Sequence, residues 1–250
     1  MPKTHPAKPR HSPKRWILVA WVLGLLLLIA VITWYLYYRG SSPTSAAHLA
    51  RKYSIKGLDV SKHTSKVNWA KLGEDGYSFV FVKATEGTAY HDPRYDQHVK
   101  EARQAGFTSG AYHFFRFRTD GIVQAKLFVA EYQRYPHELP PVIDFETSGN
   151  RYYKGTRAQA LARLKDCIAY IRRQTKRKPI LYADYGTYKY YIGDTDLAVD
   201  YWIASTGFEP SIDRMLIWQY AINQDHDHAK GLLDYNAVVV SSERWQQVLR

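Results

Sequence analysis

One cysteine, Cys167, occurs in 250 residues. That excludes an intramolecular disulfide framework and any zinc site built from several thiolates. The first 39 residues hold no acid and six bases: Lys3, Lys8, Arg10, Lys14, Arg15 and Arg39. Half of the formal charge of +12 therefore belongs to this stretch, leaving 29 bases against 23 acids elsewhere. The remaining cluster, Arg172, Arg173, Lys176, Arg177 and Lys178, falls at the end of an expected helix, where cations complement the dipole. No basic stripe of the kind that follows a phosphate backbone is left, and nucleic acid is not an expected partner. Internal repeats and low-complexity tracts are absent after residue 47, and no Gly-rich phosphate loop follows the first expected strand. What the chain has in quantity is apolar and aromatic: 46% hydrophobic residues, 21 tyrosines and 7 tryptophans. This is enough for a sizeable core, and it excludes a wholly disordered chain.

Charge is also missing from Trp16 to Tyr38, 23 residues in a row. A helix of that length spans about 34 Å, enough for a bilayer core. Trp34, Tyr35, Tyr37 and Tyr38 lie where an aromatic belt belongs, and the bases precede the run, so the residues after it are expected outside the cytoplasm. A cleaved signal peptide has a shorter apolar run and a nearby small-residue site. An uncleaved anchor is therefore the reading. The expected organisation is a basic cytoplasmic tail over 1–15, a transmembrane anchor over 16–38, a flexible linker over 39–54 and one globular domain over 55–250.

Within that domain, eight short apolar runs read as strands, beginning near Ile55, Tyr77, Gly110, Pro140, Pro179, Tyr201, Met215 and Leu232. Helical patterns separate the first five, the clearest opening at Thr156 and placing Leu161, Leu164, Ile168 and Ile171 on one face. Strand–helix alternation implies a parallel sheet with right-handed crossovers. Eight strands close a barrel, so an α/β barrel with an irregular last part is expected over an open sheet.

Chemistry in such barrels gathers where strands end. The residues there are Asp59, Lys83, Glu86, His113, Asp144, Glu146, Asp184, Gln219, Tyr220, Asp234 and Asn236. Acids next to apolar strand residues are costly to bury unless they are used or paired. Asp59, Asp144 and Asp234 share this placement. In Asp144-Phe145-Glu146 the two carboxyls are expected on one strand face, about 6.6 Å apart along it. Their repulsion raises one pKa and makes a general acid, which glycosidic cleavage requires.

The chain is identified as resembling glycoside hydrolase family 25, the Chalaropsis-type lysozymes. The motifs, in order, are Gly57-Leu58-Asp59-Val60-Ser61, Val82-Lys83-Ala84-Thr85-Glu86-Gly87 with Asp92-Pro93, Gly110-Ala111-Tyr112-His113-Phe114-Phe115, Pro141-Val142-Ile143-Asp144-Phe145-Glu146 and Trp218-Gln219-Tyr220. The resemblance implies an irregular TIM-like (β/α)5β3 barrel. It also implies cleavage of the β-1,4 bond between N-acetylmuramic acid and N-acetylglucosamine in peptidoglycan glycan strands, without a cofactor or metal. On it, Glu146 is the general acid/base, Asp144 assists, and Asp59 and Asp234 complete an acidic floor. Tyr112, His113, Tyr182, Trp218, Gln219 and Tyr220 would line the substrate groove. Two other classes keep the same barrel, a non-catalytic wall-binding or adaptor protein and a chitinase-like hydrolase. The run Asp225-His226-Asp227-His228 is read as a solvated loop rather than a metal site.

Overall fold

The computed structural model describes residues 13–40 and 43–250. Most of the expected tail over 1–15 lies outside the described residues. The chain divides into two units, one ending at Ser42 and one beginning at Pro43.

The first unit is a single helix, α1 (Pro13–Gly40). None of Trp16–Tyr35 is buried, and the stretch is long and apolar enough to cross a membrane. Both the length and the all-round apolar surface follow from the uncharged run in the sequence.

The second unit opens with α2 (Pro43–Ala50), inside the segment expected as a flexible linker. Ala46 and Ala50 are buried, and α2 lies against strand β7, whose outer face no crossover helix covers. Small side chains let the helix approach the sheet closely.

All eight expected strands are present: β1 (Lys56–Val60), β2 (Tyr77–Glu86), β3 (Thr108–Phe114), β4 (Val142–Asp144), β5 (Ile180–Asp184), β6 (Asp200–Ala204), β7 (Met215–Gln224) and β8 (Leu233–Val238). Each pairs with the next, and β8 pairs back onto β1, so the sheet closes. Strands β1 to β7 run parallel, whereas β8 is antiparallel to both its neighbours. Helices α3 (Trp69–Glu74), α4 (Tyr95–Gln104), α5 (Gly121–Tyr132) and α6 (Arg157–Thr175) fill the first four crossovers, and short turns over Tyr185–Ile192 fill the fifth. Thr156 caps α6 in a capping box with Gln159. This is the (β/α)5β3 barrel with its irregular final third.

Side chains alternate between two layers. Val80, Val82, Ala111, Ile143, Leu181 and Ile203 belong to the outer core beneath the helices, while Phe79, Phe81, Val142, Ile180, Trp202 and Val238 form a separate inner core. Two glycines make room inside. A Cβ on Gly57 would lie 2.4 Å from the Phe79 ring, and one on Gly110 would lie 2.5 Å from Phe81. The final helix, α7 (Ser242–Leu249), sets Trp245 against Phe79 at 5.5 Å between ring centroids and joins the inner core. With the floor filled by aromatics, the polar residues are left at the opposite mouth.

Candidate active site

A cleft of about 480 Å³ opens at that mouth, lined among others by Asp59, Lys83, Tyr112, Asp144, Glu146, Tyr182, Asp184, Trp202 and Asp234. A second cavity of about 540 Å³ shares Asp59, Ser61, His63, Tyr112, Asn223 and Asp234 with it. The shared lining makes the two cavities contiguous at this mouth.

All four expected acids meet in this cleft, each delivered by a strand end. Asp59, near the end of β1, pairs in register with Asp234, near the start of β8. Because β8 runs antiparallel, its start lies at the mouth where β1 ends. Asp59 Oδ2 accepts hydrogen bonds from Gln219 Nε2 and Asn236 Nδ2, each at 2.8 Å. Tyr182 donates its hydroxyl to Gln219 Oε1 at 2.8 Å, and Trp202 Nε1 donates to Asn236 Oδ1 at 2.8 Å. These outer donors fix both amides so that their N–H groups face the carboxyl. Burial raises the Asp59 pKa well above the usual carboxylate range, and Asp234 raises it further. Burial also raises the Asp234 pKa, against the hydrogen bonds it accepts. Asp234 Oδ1 also accepts the backbone N–H of Asn223 at 2.6 Å.

Asp144 ends β4 and is buried. Its Oδ1 has no hydrogen-bond partner, a rare state for a buried polar atom. Burial raises its pKa well above the usual range, and the neighbouring Glu146 adds to the shift while Lys83 opposes it. Glu146 lies just beyond the strand and accepts the Ser148 hydroxyl on Oε1 at 2.6 Å. Burial is the first cause of its own raised pKa; Ser148 and Lys83 lower it, and Asp184 and Asp234 raise it. Lys83 is anchored by Glu86, 2.7 Å from Nζ, and lies over the Phe114 ring. The cleft therefore holds carboxyls whose pKa values burial raises, next to the anchored cation of Lys83. Such a set can protonate a leaving oxygen and later deprotonate water.

Three of the expected groove residues lie elsewhere. Tyr112, Tyr182 and Gln219 point inward, so their sequence neighbours His113, Trp218 and Tyr220 point outward, because successive side chains on a strand alternate. His113 is buried between Thr85, 2.8 Å from Nδ1, and Gln124, 3.2 Å from Nε2. Burial depresses its pKa to about 4 in spite of the Gln124 hydrogen bond, which favours the charged form. Trp218 donates Nε1 to the Ser205 carbonyl at 2.8 Å. Tyr220 packs beside Tyr235 and Trp218 in the outer core.

Ser148 and Trp202 take part without having been singled out in the sequence. Trp202 shares the parity of Asp200 and Ala204 along β6, and that parity, set against the outward Tyr201 and Ile203, is the signal that points it inward. Asp184 is held by Thr187. In the loop before β8, His226 and His228 face Asp75, with Nε2–Oδ2 separations of 3.7 and 3.6 Å. Among the described residues, no three His, Cys, Asp or Glu side chains gather to hold a metal ion.

Residues 58–228 match the family model described as "Glycosyl hydrolases family 25". The uncharacterized protein YegX of Escherichia coli O157:H7 is 27% identical over 260 residues, covering 94% of each chain. Lysozyme M1 of Streptomyces globisporus is 29% identical over 204 residues, 76% of this chain and 69% of that protein. The solved structure of a family 25 glycosyl hydrolase from Bacillus anthracis superposes with a TM-score of 0.71 at 30% identity, covering 78% of this chain and 94% of that one.

Proposed function

The chain belongs to the glycosyl hydrolases of family 25, and from that membership we propose that it is a membrane-anchored muramidase. It cleaves the β-1,4 bond between N-acetylmuramic acid and N-acetylglucosamine in peptidoglycan, with α1 as the anchor and the barrel over 55–250 outside the cytoplasm. The named lysozyme among its relatives supports the substrate, and the two contiguous cavities at the mouth leave room for more than one sugar ring.

The observation that carries the mechanism is the partnerless Oδ1 of buried Asp144, close to Glu146. Two carboxyls from the end of one strand approach a glycosidic bond from the same side, which does not suit an opposed nucleophile and acid. The substrate carries a nucleophile of its own in the 2-acetamido group. Its N–H donates to Asp144 Oδ1, filling the open acceptor and drawing Asp144 into its ionised form. With the negative charge of the Asp144–Glu146 pair on Asp144, Glu146 holds the proton.

The acetamido oxygen attacks the anomeric carbon while the bond to the leaving oxygen breaks, and Glu146 supplies that oxygen with its proton. A cyclic oxazolinium results, its positive charge held by Asp144 as it develops. Water then attacks the same carbon, Glu146 takes a proton from it, and the acetamide reopens. Asp59 and Asp234 form the floor, and the raised pKa of each favours its neutral form, which reduces the negative charge below the reacting centre. Tyr112, Tyr182 and Gln219 line or brace the groove.

Incubating the detergent-solubilised chain with purified peptidoglycan tests this function. New reducing groups are the expected result, and an unchanged reducing-group count would reject it.

A further inference from the structure

Glu146 is tied to the neighbouring strand through the residue that follows it. Thr147 donates its backbone N–H to Thr187 Oγ1 at 3.0 Å, and the two threonine hydroxyl oxygens lie 3.1 Å apart. Thr187 is buried in the turn directly after β5. Asp184, the last residue of β5, accepts the Thr187 backbone N–H on Oδ1 at 2.9 Å and the Thr187 hydroxyl on Oδ2. One carboxylate thus holds both donors of Thr187. With its hydroxyl proton committed to Asp184, the Thr187 oxygen is left to accept from Thr147. The chain of bonds runs from the end of β5 to the residue covalently joined to Glu146. Asp184 also lines the cleft itself.

We propose that Asp184 is a positioning residue for the hydrolytic reaction, holding Glu146 in place through Thr187 and Thr147 and setting a fixed negative charge beside it. This rests on the reading of Glu146 as the proton donor. The groups facing Glu146 are Ser148 and Asp144 at its own strand end, Asp184 and Tyr182 from β5, Lys83 from β2 and Asp234 from β8. After burial and the Ser148 hydrogen bond, Asp184 has the largest influence on the Glu146 carboxyl and favours its protonated form. Clamp and charge are therefore two effects of a single side chain, and Thr187→Val removes the clamp while keeping the charge.

Asp184→Asn removes the charge; it keeps an oxygen for the Thr187 N–H but sets an amide N–H donor where the Thr187 hydroxyl had its acceptor. Glu146 then loses its proton at lower pH, so the high-pH limb of the kcat/KM profile on peptidoglycan moves down by roughly 1 unit. Thr187→Val keeps the charge and cuts the bridge to Thr147. It lowers kcat by roughly tenfold or more without moving that limb, since small displacements of a reacting group are costly, and Thr187→Ser restores the rate. Valine leaves the Thr147 N–H unpaired and can disturb the turn, so Asp184→Asn, checked by its melting curve, is sufficient by itself. An unmoved limb in folded Asp184→Asn protein, with wild-type turnover intact, overturns the inference and spares the assignment of Glu146. A wild-type chain that releases no reducing groups overturns both.

Discussion

Asp59 and Asp234 stand opposite each other across two antiparallel strands, and Asp234 raises the cost of charging Asp59, although Asp59 comes near the end of its strand and Asp234 near the start of its own. The reversed direction of β8 brings them together. Acids from four strands are thereby crowded into one mouth, and the crowding has a cost to the fold.

That cost is measurable at Asp144. Its pKa is raised in the folded protein, chiefly by burial and then by Glu146. A raised carboxyl stabilises the fold only while protonated, so its contribution is complete below the unfolded value near 4 and is lost as pH rises through the folded value. Asp144→Asn abolishes this loss. It should raise stability at neutral pH by about 1 kcal/mol or more, with the gain vanishing below about pH 4. Melting curves across this range decide the matter, and equal or lower stability of Asp144→Asn at neutral pH would contradict the account.

His113 behaves in the opposite sense. Its pKa lies near 4 because burial disfavours the imidazolium. A base with a depressed pKa contributes stability fully above the unfolded value of about 6.5, and that contribution fades as pH falls toward the folded one. In NMR spectra the His113 ring should stay neutral through the pH range where free imidazole titrates. A transition at an ordinary histidine value would show that the ring is open to water.

The strand count, the order of elements and the four acids were legible in the sequence because each rests on a local pattern: apolar runs, Gly and Pro boundaries, and acids where runs end. The orientation of neighbours was legible too, but only by applying alternation strictly. Tyr112 with His113, and Gln219 with Trp218 and Tyr220, are adjacent and cannot share one face of a strand. The direction of β8 was hidden, since a strand reads alike in both directions and the connection between Gln224 and Leu233 carries no helix to signal a crossover. The hydrogen bonds that fix Asn236 by Trp202 and Thr147 by Thr187 join residues 34 and 40 positions apart, beyond the reach of any local pattern.

The proposed membrane topology rests on the bases that precede the apolar run and on the lack of charge from Trp16 to Tyr38. Protease added to the outer side of intact, correctly oriented cells should remove the barrel and spare the basic tail. A barrel protected until the membrane is opened would reverse the topology.

Acetamido participation predicts that the first-formed product keeps the β configuration, that a thiazoline analogue of the cyclised sugar inhibits, and that no sugar becomes bonded to Asp144. Proton NMR of the anomeric signal, read before mutarotation, separates the alternatives. An α anomer, or an adduct on a peptide containing Asp144, would rule out this route.

The central claim is that Glu146 donates the proton when a muramidase bond is cut. Its most direct test compares wild type with Glu146→Gln on purified peptidoglycan, with products reduced by borohydride and identified by mass spectrometry. The account predicts that wild type creates reduced N-acetylmuramic acid ends, and that folded Glu146→Gln loses roughly 10²–10⁴-fold in rate. New ends consisting of reduced N-acetylglucosamine, or near-wild-type turnover by folded Glu146→Gln, would contradict it.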